Sequence, residues 1–452
     1  MTGQPPTADQ PLRIALLSYR GDPFCGGQGV YVRHLSRELA RLGHHVDVIG
    51  AQPYPVLDYG DETPPARRPG GTPTPGSVRL VKLPSLDLYR ADDPFRTPKA
   101  AELRGPVDAL EVATMWTGGF PEPLTFSLRA RQYLARHRGR YDVVHDNQTL
   151  GYGLLGLARH GFPLVTTVHH PVTEDRRLEL EAATTRGRRL SLRRWYAFTR
   201  MQRRVAARLD HVITVSGSSK ADIAAQLGTP PGNIQVVPIG ADTRLWSPSD
   251  AVPVVPGRIV TTSSADVPLK GLVYLVEALA KVRTERDAHL VVVCKKQGEG
   301  PVADAVKRFG LEPHIEFRTG LSDQELVDLY RSAEVACVPS LYEGFSLPAA
   351  EAMATGTPLV ASTGGAIPEV AGPDGETCLA VPPGDADALA GALGRLLDDP
   401  ALRARLGAAG RDRVLAGFTW ERAAERTADR YRAAIATGVG QRARSGPGWR
   451  YV

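Results

Sequence analysis

Two carboxylates, Glu343 and Glu351, stand eight positions apart on either side of a predicted helix start, and this pair is the most chemically suggestive in the chain. The apolar run from Val335 to Val338 predicts a buried strand, and a helix is expected to open at about Leu347. Ser346 stands where an N-cap is expected. Pro348 fits the first turn, where its missing N–H would have no intrahelical partner. Such a start leaves the amides of Phe345, Ser346 and Leu347 at the positive end of the helix dipole, a place for an anion. With phosphates on those amides, one carboxylate can reach a sugar ring and the other a ribose diol, which is the chemistry of a sugar nucleotide. The competing reading is a strand–helix unit whose glutamates merely face water. Gly344, Pro348 and the strands on either side favour the functional one.

A site of this kind needs parallel strands that feed helices, and the chain alternates the two. Arg13 to Ser18 predicts a strand, Gly26-Gly27-Gln28-Gly29 a Gly-rich turn, Val30 to Leu42 a helix closed by Gly43, and His45 to Ile49 the next strand. A dinucleotide fingerprint would want glycine at position 32 and an acid after the second strand. Val32 and Gly50 stand there, which argues against a nicotinamide or flavin enzyme. Residues 52–76 are rich in Pro, Gly and charge and predict a mobile loop. Val78 to Leu83, Asp142 to His145 and Pro163 to Val168 predict strands, with a helix from Phe126 to Arg136. The last of these strands ends in His169-His170-Pro171, at the edge where open α/β sheets bind ligands. Val212 to Val215 and Ile234 to Pro238 complete the first half, and the Pro-bearing stretch from Asp242 to Val255 predicts a domain boundary. Beyond it, strands are expected at Ile259 to Thr262, His289 to Cys294, His314 to Phe317, Val335 to Val338 and Pro358 to Ala361. Ser322 and Glu325 form a capping box between the third and fourth. A final helix is expected from Trp420 to Ala436.

The 452 residues suggest two to three domains, and 42% hydrophobic with 23% charged residues is the composition of a soluble globular protein. The net charge of +6 comes almost wholly from arginine, with only eight lysines, and neither zinc-finger spacing nor a basic strand interleaved with aromatics points to nucleic acid. Four scattered cysteines, without a Cys-x-x-Cys pair, predict neither a disulfide framework nor a metal site. The opening MTGQPPTADQPL has no basic or apolar leader, and no apolar run reaches membrane-span length, so a cytoplasmic location is expected. Residues 176–208 hold eleven Arg and two Glu with Trp195, Tyr196 and Phe198 among them. Such a segment could lie as an amphipathic helix on an anionic membrane, peripherally on the inner face. The preferred reading is a solvated helix whose stripe, including Met201 and Val205, packs on its domain.

The Glu-x7-Glu spacing, with Gly344-Phe345 behind the first Glu and Gly364-Gly365 after the next strand, resembles the donor-site motif of the retaining glycosyltransferases of family four. The resemblance covers most of residues 12–436. It implies an α/β chain of two Rossmann-like β/α/β domains facing a central cleft, the GT-B architecture. On that scheme residues 1–11 are a disordered start, 12–242 the acceptor-side domain and 243–419 the nucleotide-sugar domain. Residues 420–437 are a helix crossing back to domain one, and 438–452 a disordered tail. The implied activity is transfer of a hexose from a nucleotide-diphosphate sugar, with retention and without cofactor or metal, to a carbohydrate, lipid-linked or small-molecule acceptor.

Residue by residue, the resemblance puts Glu343 on the donor sugar, Glu351 on the ribose, and His169, in the Thr-x-His place, beside the transferred sugar. Gly27 lies in the loop that approaches the donor phosphate, Lys270 supplies a cation to the diphosphate, and Leu321 lies where the base stacks. The family's arginine ahead of that lysine is missing, since Ser264 or Ala265 occupies its place. Lys295 and Lys296, at the edge of the same predicted sheet, could replace its charge. Two other classes fit the same features: a sugar-nucleotide epimerase or glycosyl phosphorylase of this architecture, and a non-catalytic sugar-nucleotide-binding protein. Turnover separates the last from the others, and conversion of donor without acceptor marks an epimerase.

Overall fold

The computed structural model describes residues 10–21, 27–58, 76–90, 92–263, 268–294 and 298–445. The chain divides into two compact units. Unit 1 is Met1–Val215, Lys220–Val237 and Ala424–Val452; unit 2 is Ser216–Ser219 and Pro238–Ala423.

Unit 1 is built on seven strands: β1 (Arg13–Ser18), β2 (His45–Gly50), β3 (Ser77–Lys82), β4 (Val143–Asn147), β5 (Leu164–Thr167), β6 (Val212–Thr214) and β7 (Ile234–Val236). They form one sheet in the order β3-β2-β1-β4-β5-β6-β7. Every pairing is parallel. Unit 2 has six: β8 (Val255–Thr262), β9 (His289–Val293), β10 (Ile315–Arg318), β11 (Ala333–Val338), β12 (Leu359–Ser362) and β13 (Leu379–Val381). Their order is β10-β9-β8-β11-β12-β13, again parallel throughout. Both orders are the doubly wound 3-2-1-4-5-6 pattern. Each sheet therefore reverses direction of winding between its first and fourth strands and opens a crevice at their carboxyl ends.

Burial on both faces explains why the central strands are continuous apolar runs rather than alternating ones. Leu290, Val291 and Val292 of β9 are fully buried, as are Ile14, Ala15, Leu16 and Leu17 of β1. Each such side chain contributes about 1.5–3 kcal/mol through the apolar area it removes from water.

Several elements differ from the sequence expectation. The helix Pro106–Trp116 was not anticipated; its buried Asp108 and Glu111, both held by Arg129, disguise an inward face as a polar one. Strand β13 has only three residues, too few for a period to show. The arginine-rich segment is not one helix but the end of Val172–Ala182, then Arg186–Trp195 and Thr199–Ala206. Met201 and Val205 are buried against unit 1, so that stripe is core-facing. The last helix does not stop near residue 437 but runs from Trp420 to Ser445, because the stretch after Gly438 supplies further helix formers. Of the expected disordered start (1–11), mobile loop (52–76) and disordered tail (438–452), residues 1–9, 59–75 and 446–452 lie outside the described residues, whereas 52–58 carry no regular element and 438–445 are helical. Among the described residues no helix is long and apolar enough to cross a membrane.

Candidate functional site

In unit 2 the winding reverses between β8 and β11, and the segments leaving these two strands carry the charged groups. After β8 the chain reaches the short turn Pro268–Lys270, and after β11 it runs through Ser340 to Glu343. The two segments are tied by the Leu341 amide donating to the Leu269 carbonyl at 2.8 Å. Gly271 is needed here: it has φ +64°, and a Cβ would fall 2.1 Å from the Pro339 carbonyl oxygen. The approach brings Lys270 Nζ to 2.8 Å from Glu343 Oε1, which also accepts from Ser340 Oγ at 2.8 Å. Glu343 Oε2 has no partner among the described residues.

The Glu343 loop is held from three sides. Ser216 and Ser219, which belong to unit 2, both donate their hydroxyls to the Gly344 carbonyl, at 2.7 and 3.0 Å. Ala366 N–H donates to the Glu343 carbonyl at 2.9 Å. Gly365 has φ +61° and lies so close that a Cβ would stand 2.4 Å from that same carbonyl oxygen. The Gly364-Gly365 pair thus serves backbone approach, and the two serines are contributors that no motif pointed to. Glu369 in turn accepts the amides of Gly217 and Ser218 at 2.7 and 2.8 Å, a cap supplied from far along the chain.

The helix Leu347–Ala354 starts where expected, with Pro348 in its first turn. Ser346 corrects the expectation in one respect. It occupies the N-cap position at φ 91° and ψ 76°, a left-handed conformation, and its side chain caps nothing. A side-chain cap needs extended backbone at that residue, and the left-handed turn points the hydroxyl elsewhere. Ser346 Oγ is buried without a hydrogen-bond partner among the described residues. Neither Phe345, which is buried, nor Ser346 nor Leu347 spends its amide on a described acceptor. An open helix end and an orphan hydroxyl therefore coincide, an arrangement that an oxyanion completes.

Glu351 lies one turn inside this helix. Burial, assisted by the charge of Asp323, pushes its carboxyl up to about 7. Its charge is felt by Tyr330, whose hydroxyl is 2.7 Å from Thr262 Oγ1 at the end of β8. Thr262 ends β8, the strand from which the chain runs on to Lys270. Leu321 is half-exposed between β10 and the helix Asp323–Arg331, whose capping box forms as expected, with Ser322 N–H 2.8 Å from Glu325 Oε2. Ser264, Lys295 and Lys296 lie outside the described residues.

In unit 1 His169 follows β5. Its Nε2 is 2.8 Å from Asn147 Oδ1, and the Asn147 amide nitrogen donates to the Gln28 carbonyl at 3.4 Å. That fixes which way the amide faces, so His169 Nε2 carries the proton and Nδ1 presents a lone pair. Burial, with the neighbouring His170, lowers its pKa to about 3, and the ring is neutral at ordinary pH. Gln148, at φ 56°, accepts the His169 amide at 2.7 Å and donates to the His170 carbonyl at 2.9 Å. His170 itself is 3.0 Å from Asp175, in the helix that follows.

Behind His169 runs a buried chain of hydrogen bonds. Tyr431 hydroxyl lies 2.6 Å from His145 Nδ1, His145 Nε2 lies 2.8 Å from Thr167 Oγ1, and Thr167 Oγ1 lies 2.9 Å from Tyr31 hydroxyl. The Tyr31 ring then meets His169 edge-on at 4.7 Å. His145, like His169, is held neutral by burial. Residues 286 apart meet in this chain, so local sequence carried no signal of it. Beside it, the buried Asp146 accepts the Thr149 and Leu150 amides, and burial pushes its carboxyl up to about 6. Gly27 opens the helix Gly27–Arg41, and among the described residues nothing lies within 4 Å of where a Cβ there would stand. Among the described residues no three His, Cys, Asp or Glu side chains are grouped to hold a metal ion.

Known proteins match over nearly the whole chain. Residues 25–245 match the model described as Glycosyltransferase Family 4, and residues 256–399 that described as Glycosyl transferases group 1. The chain is 52% identical to the MMP alpha-(1->4)-mannosyltransferase of Mycolicibacterium hassiacum, over 94% of this chain and 99% of that protein. It is 30% identical to the D-inositol 3-phosphate glycosyltransferase of Kribbella flavida, over 96% and 99%. Among solved structures, sucrose-phosphate synthase from Thermosynechococcus elongatus matches with a TM-score of 0.67 at 26% identity, over 94% of this chain and 100% of that one. Anabaena HepE in complex with UDP-glucose matches in fold with a TM-score of 0.62 at 17% identity, over 92% and 98%.

Proposed function

Since the chain belongs to the group 1 glycosyltransferases of family 4, with the GT-B fold, we propose that it transfers mannose from a nucleoside diphosphate sugar to a carbohydrate hydroxyl. Transfer proceeds with retention at the anomeric carbon and without a metal. The observation that carries the reading is the carboxyl end of the unit 2 sheet, where a lysine–glutamate pair, an open helix end and a second glutamate one turn inside that helix lie on the segments that leave β8 and β11. The choice of mannose rests on the 52% identity to a mannosyltransferase across nearly all of both chains.

In this reading the diphosphate lies on the amides of Phe345, Ser346 and Leu347, with Ser346 Oγ as a further donor. Lys270 leaves its contact with Glu343 to meet the phosphate, which frees Glu343 to orient the sugar hydroxyls. As the bond from C1 to the phosphate oxygen breaks, negative charge gathers on that oxygen, and fixed cations and amides there lower the barrier. The acceptor oxygen bonds to C1 on the same face, and its proton passes to the departing phosphate. His169, neutral and with Nδ1 open, accepts a hydrogen bond from a sugar hydroxyl rather than supplying a proton. Glu351 accepts from the ribose diol as the carboxylate, so donor binding draws off its proton.

The test is a thermal-shift series of nucleotide sugars followed by product analysis. A ligand at 100 times its Kd adds about 2.7 kcal/mol to the native state. Stabilisation by a mannose nucleotide, and an α-linked product by NMR, is the expected outcome. A β-linked product would remove retention, and turnover that needs an added divalent cation would remove metal independence.

A further inference from the structure

Tyr152, Gly156 and Arg159 recur at helical spacing on one face of the helix Tyr152–Arg159, and His160 follows at its end. With Arg131 of the preceding helix, Glu122–Arg136, and Arg204 and Arg208 in and just after the helix Thr199–Ala206, they line a cavity of about 430 Å³. Neither an aspartate nor a glutamate is among its lining residues, so four guanidiniums border one space with no carboxylate between them.

These arginines are placed but not spent. None of the four pairs with a carboxylate among the described residues, whereas Arg129, two positions before Arg131, is held by Asp108 and Glu111. Arg131 lies against Gly156 instead, where a Cβ would stand 2.6 Å from Arg131 Nε. Alanine there would favour the helix by about 1 kcal/mol, so the glycine leaves room for the guanidinium at a cost in helix propensity. Arg204 Nη1 donates to the Tyr152 hydroxyl at 3.1 Å, and Arg208 Nη1 to the Arg204 carbonyl at 2.6 Å. A guanidinium carries its N–H groups in a planar fork, and these contacts use at most one nitrogen of each. The end of the helix Tyr152–Arg159 does not claim the rest. There the His160 ring meets the Gly156 carbonyl at 2.5 Å, and Arg138 donates to the His160 carbonyl.

Gathering like charges raises the free energy unless an anion joins them. We propose that this cavity binds a ligand with two or more phosphoryl groups, either a free small molecule or the headgroup of an anionic lipid. Phosphoryl oxygens match the guanidinium fork two at a time, several forks suit several phosphoryl groups, and the volume is that of a small-molecule site. The place is separate from His169. In a parallel sheet each helix runs back from the carboxyl edge of its strand to the amino edge, so Arg159 and His160 end on the side away from that histidine. The inference therefore does not depend on the proposed transfer reaction.

The experiment is calorimetric titration with pyrophosphate of the wild type, of the cavity pair Arg131→Gln with Arg204→Gln, and of Arg200→Gln with Arg203→Gln. The last removes the same charge from exposed positions that do not line the cavity. Thermal unfolding checks that all three are folded. The cavity pair should weaken pyrophosphate by about tenfold or more, and the control pair by less than about twofold. The open helix end of unit 2 is a second place for pyrophosphate, and Lys270→Ala should weaken that event alone. Flotation with phosphatidylcholine vesicles, with and without cardiolipin, separates the two sources. A free ligand is marked by pyrophosphate binding without flotation, and a lipid headgroup by cardiolipin-dependent flotation that the cavity pair abolishes. A cavity pair that equals the wild type in both measurements overturns the site. An equal loss in the control pair overturns it too, since diffuse surface charge would then explain the binding.

Discussion

The two sheets wind in the same order but line their crevices with opposite kinds of chemistry. In unit 2 the groups at the reversal are charged or able to become so: Lys270 against Glu343, an open helix end, and Glu351 poised near neutrality. In unit 1, burial holds His145 and His169 neutral, and both His145 nitrogens and His169 Nε2 are hydrogen-bonded, to Tyr431, Thr167 and Asn147. A repeated topology fixes where a ligand can sit, whereas the side chains leaving each strand decide whether that place stabilises charge or orients neutral hydroxyls. Unit 2 therefore suits a diphosphate and unit 1 suits sugar hydroxyls.

The largest effect should come from removing the cation. Lys270→Ala is expected to lower kcat by about 100- to 1,000-fold, the size seen when one preorganised donor to a developing anion is lost. A kcat within threefold of wild type would mean that the charge at unit 2 is incidental to the reaction.

Next is Glu351. On the proposed reading, Glu351→Ala removes a charge-assisted hydrogen bond to the ribose worth roughly 1.5–3 kcal/mol, a rise in donor Kd of about 10- to 150-fold. In the wild type the donor should bind more tightly as pH rises toward 7 and then level off, because the carboxylate is the binding form. The free protein shows the opposite sign. A carboxyl raised to about 7 in the folded state, above its ordinary value near 4.5, makes stability fall as pH rises between those two values. Glu351→Gln should flatten both profiles, and a pH-independent wild-type Kd from 5.5 to 8 would remove Glu351 from the donor site.

For unit 1, His169→Ala should reduce kcat by about tenfold while donor Kd stays within twofold, as expected for a neutral hydrogen-bond acceptor felt mainly in the transition state. With its pKa near 3, His169 should put no limb on the kcat profile between pH 5 and 8. Such a limb, if it vanished in His169→Ala, would overturn the contrast between charged and neutral edges. The smallest effect belongs to Tyr431→Phe, which leaves His145 Nδ1 buried and unpaired at a cost of about 1–3 kcal/mol in stability. Donor affinity, set in unit 2, should not change.

How much of this was legible follows from range. The stretch from Val335 to Glu369 could be read because a strand, a turn, a helix start and two glutamates lie in one short segment, where Pro348 and the glycines act locally. Lys270 was placed through resemblance, and the structure adds its contact with Glu343. The roles of Ser216 and Ser219 were hidden because their acceptor, the Gly344 carbonyl, is more than a hundred positions away. Ser346 misled because residue type suggests a cap, while only the backbone angle tells whether the hydroxyl can reach an amide.

The hydrogen bond from Tyr431 to His145 has a consequence for biosynthesis. A ribosome adds roughly 5–20 residues per second, so His145 emerges tens of seconds before its partner does. For the part of that interval after β7 is made, unit 1 has its strands but not the helical residue that completes the chain behind His169. All of unit 2, ending at Ala423, is made before the part of that helix that belongs to unit 1. The part of the protein that is synthesised first is therefore the part that finishes folding last, and a released chain truncated after residue 423 should hold a complete unit 2 and an open unit 1.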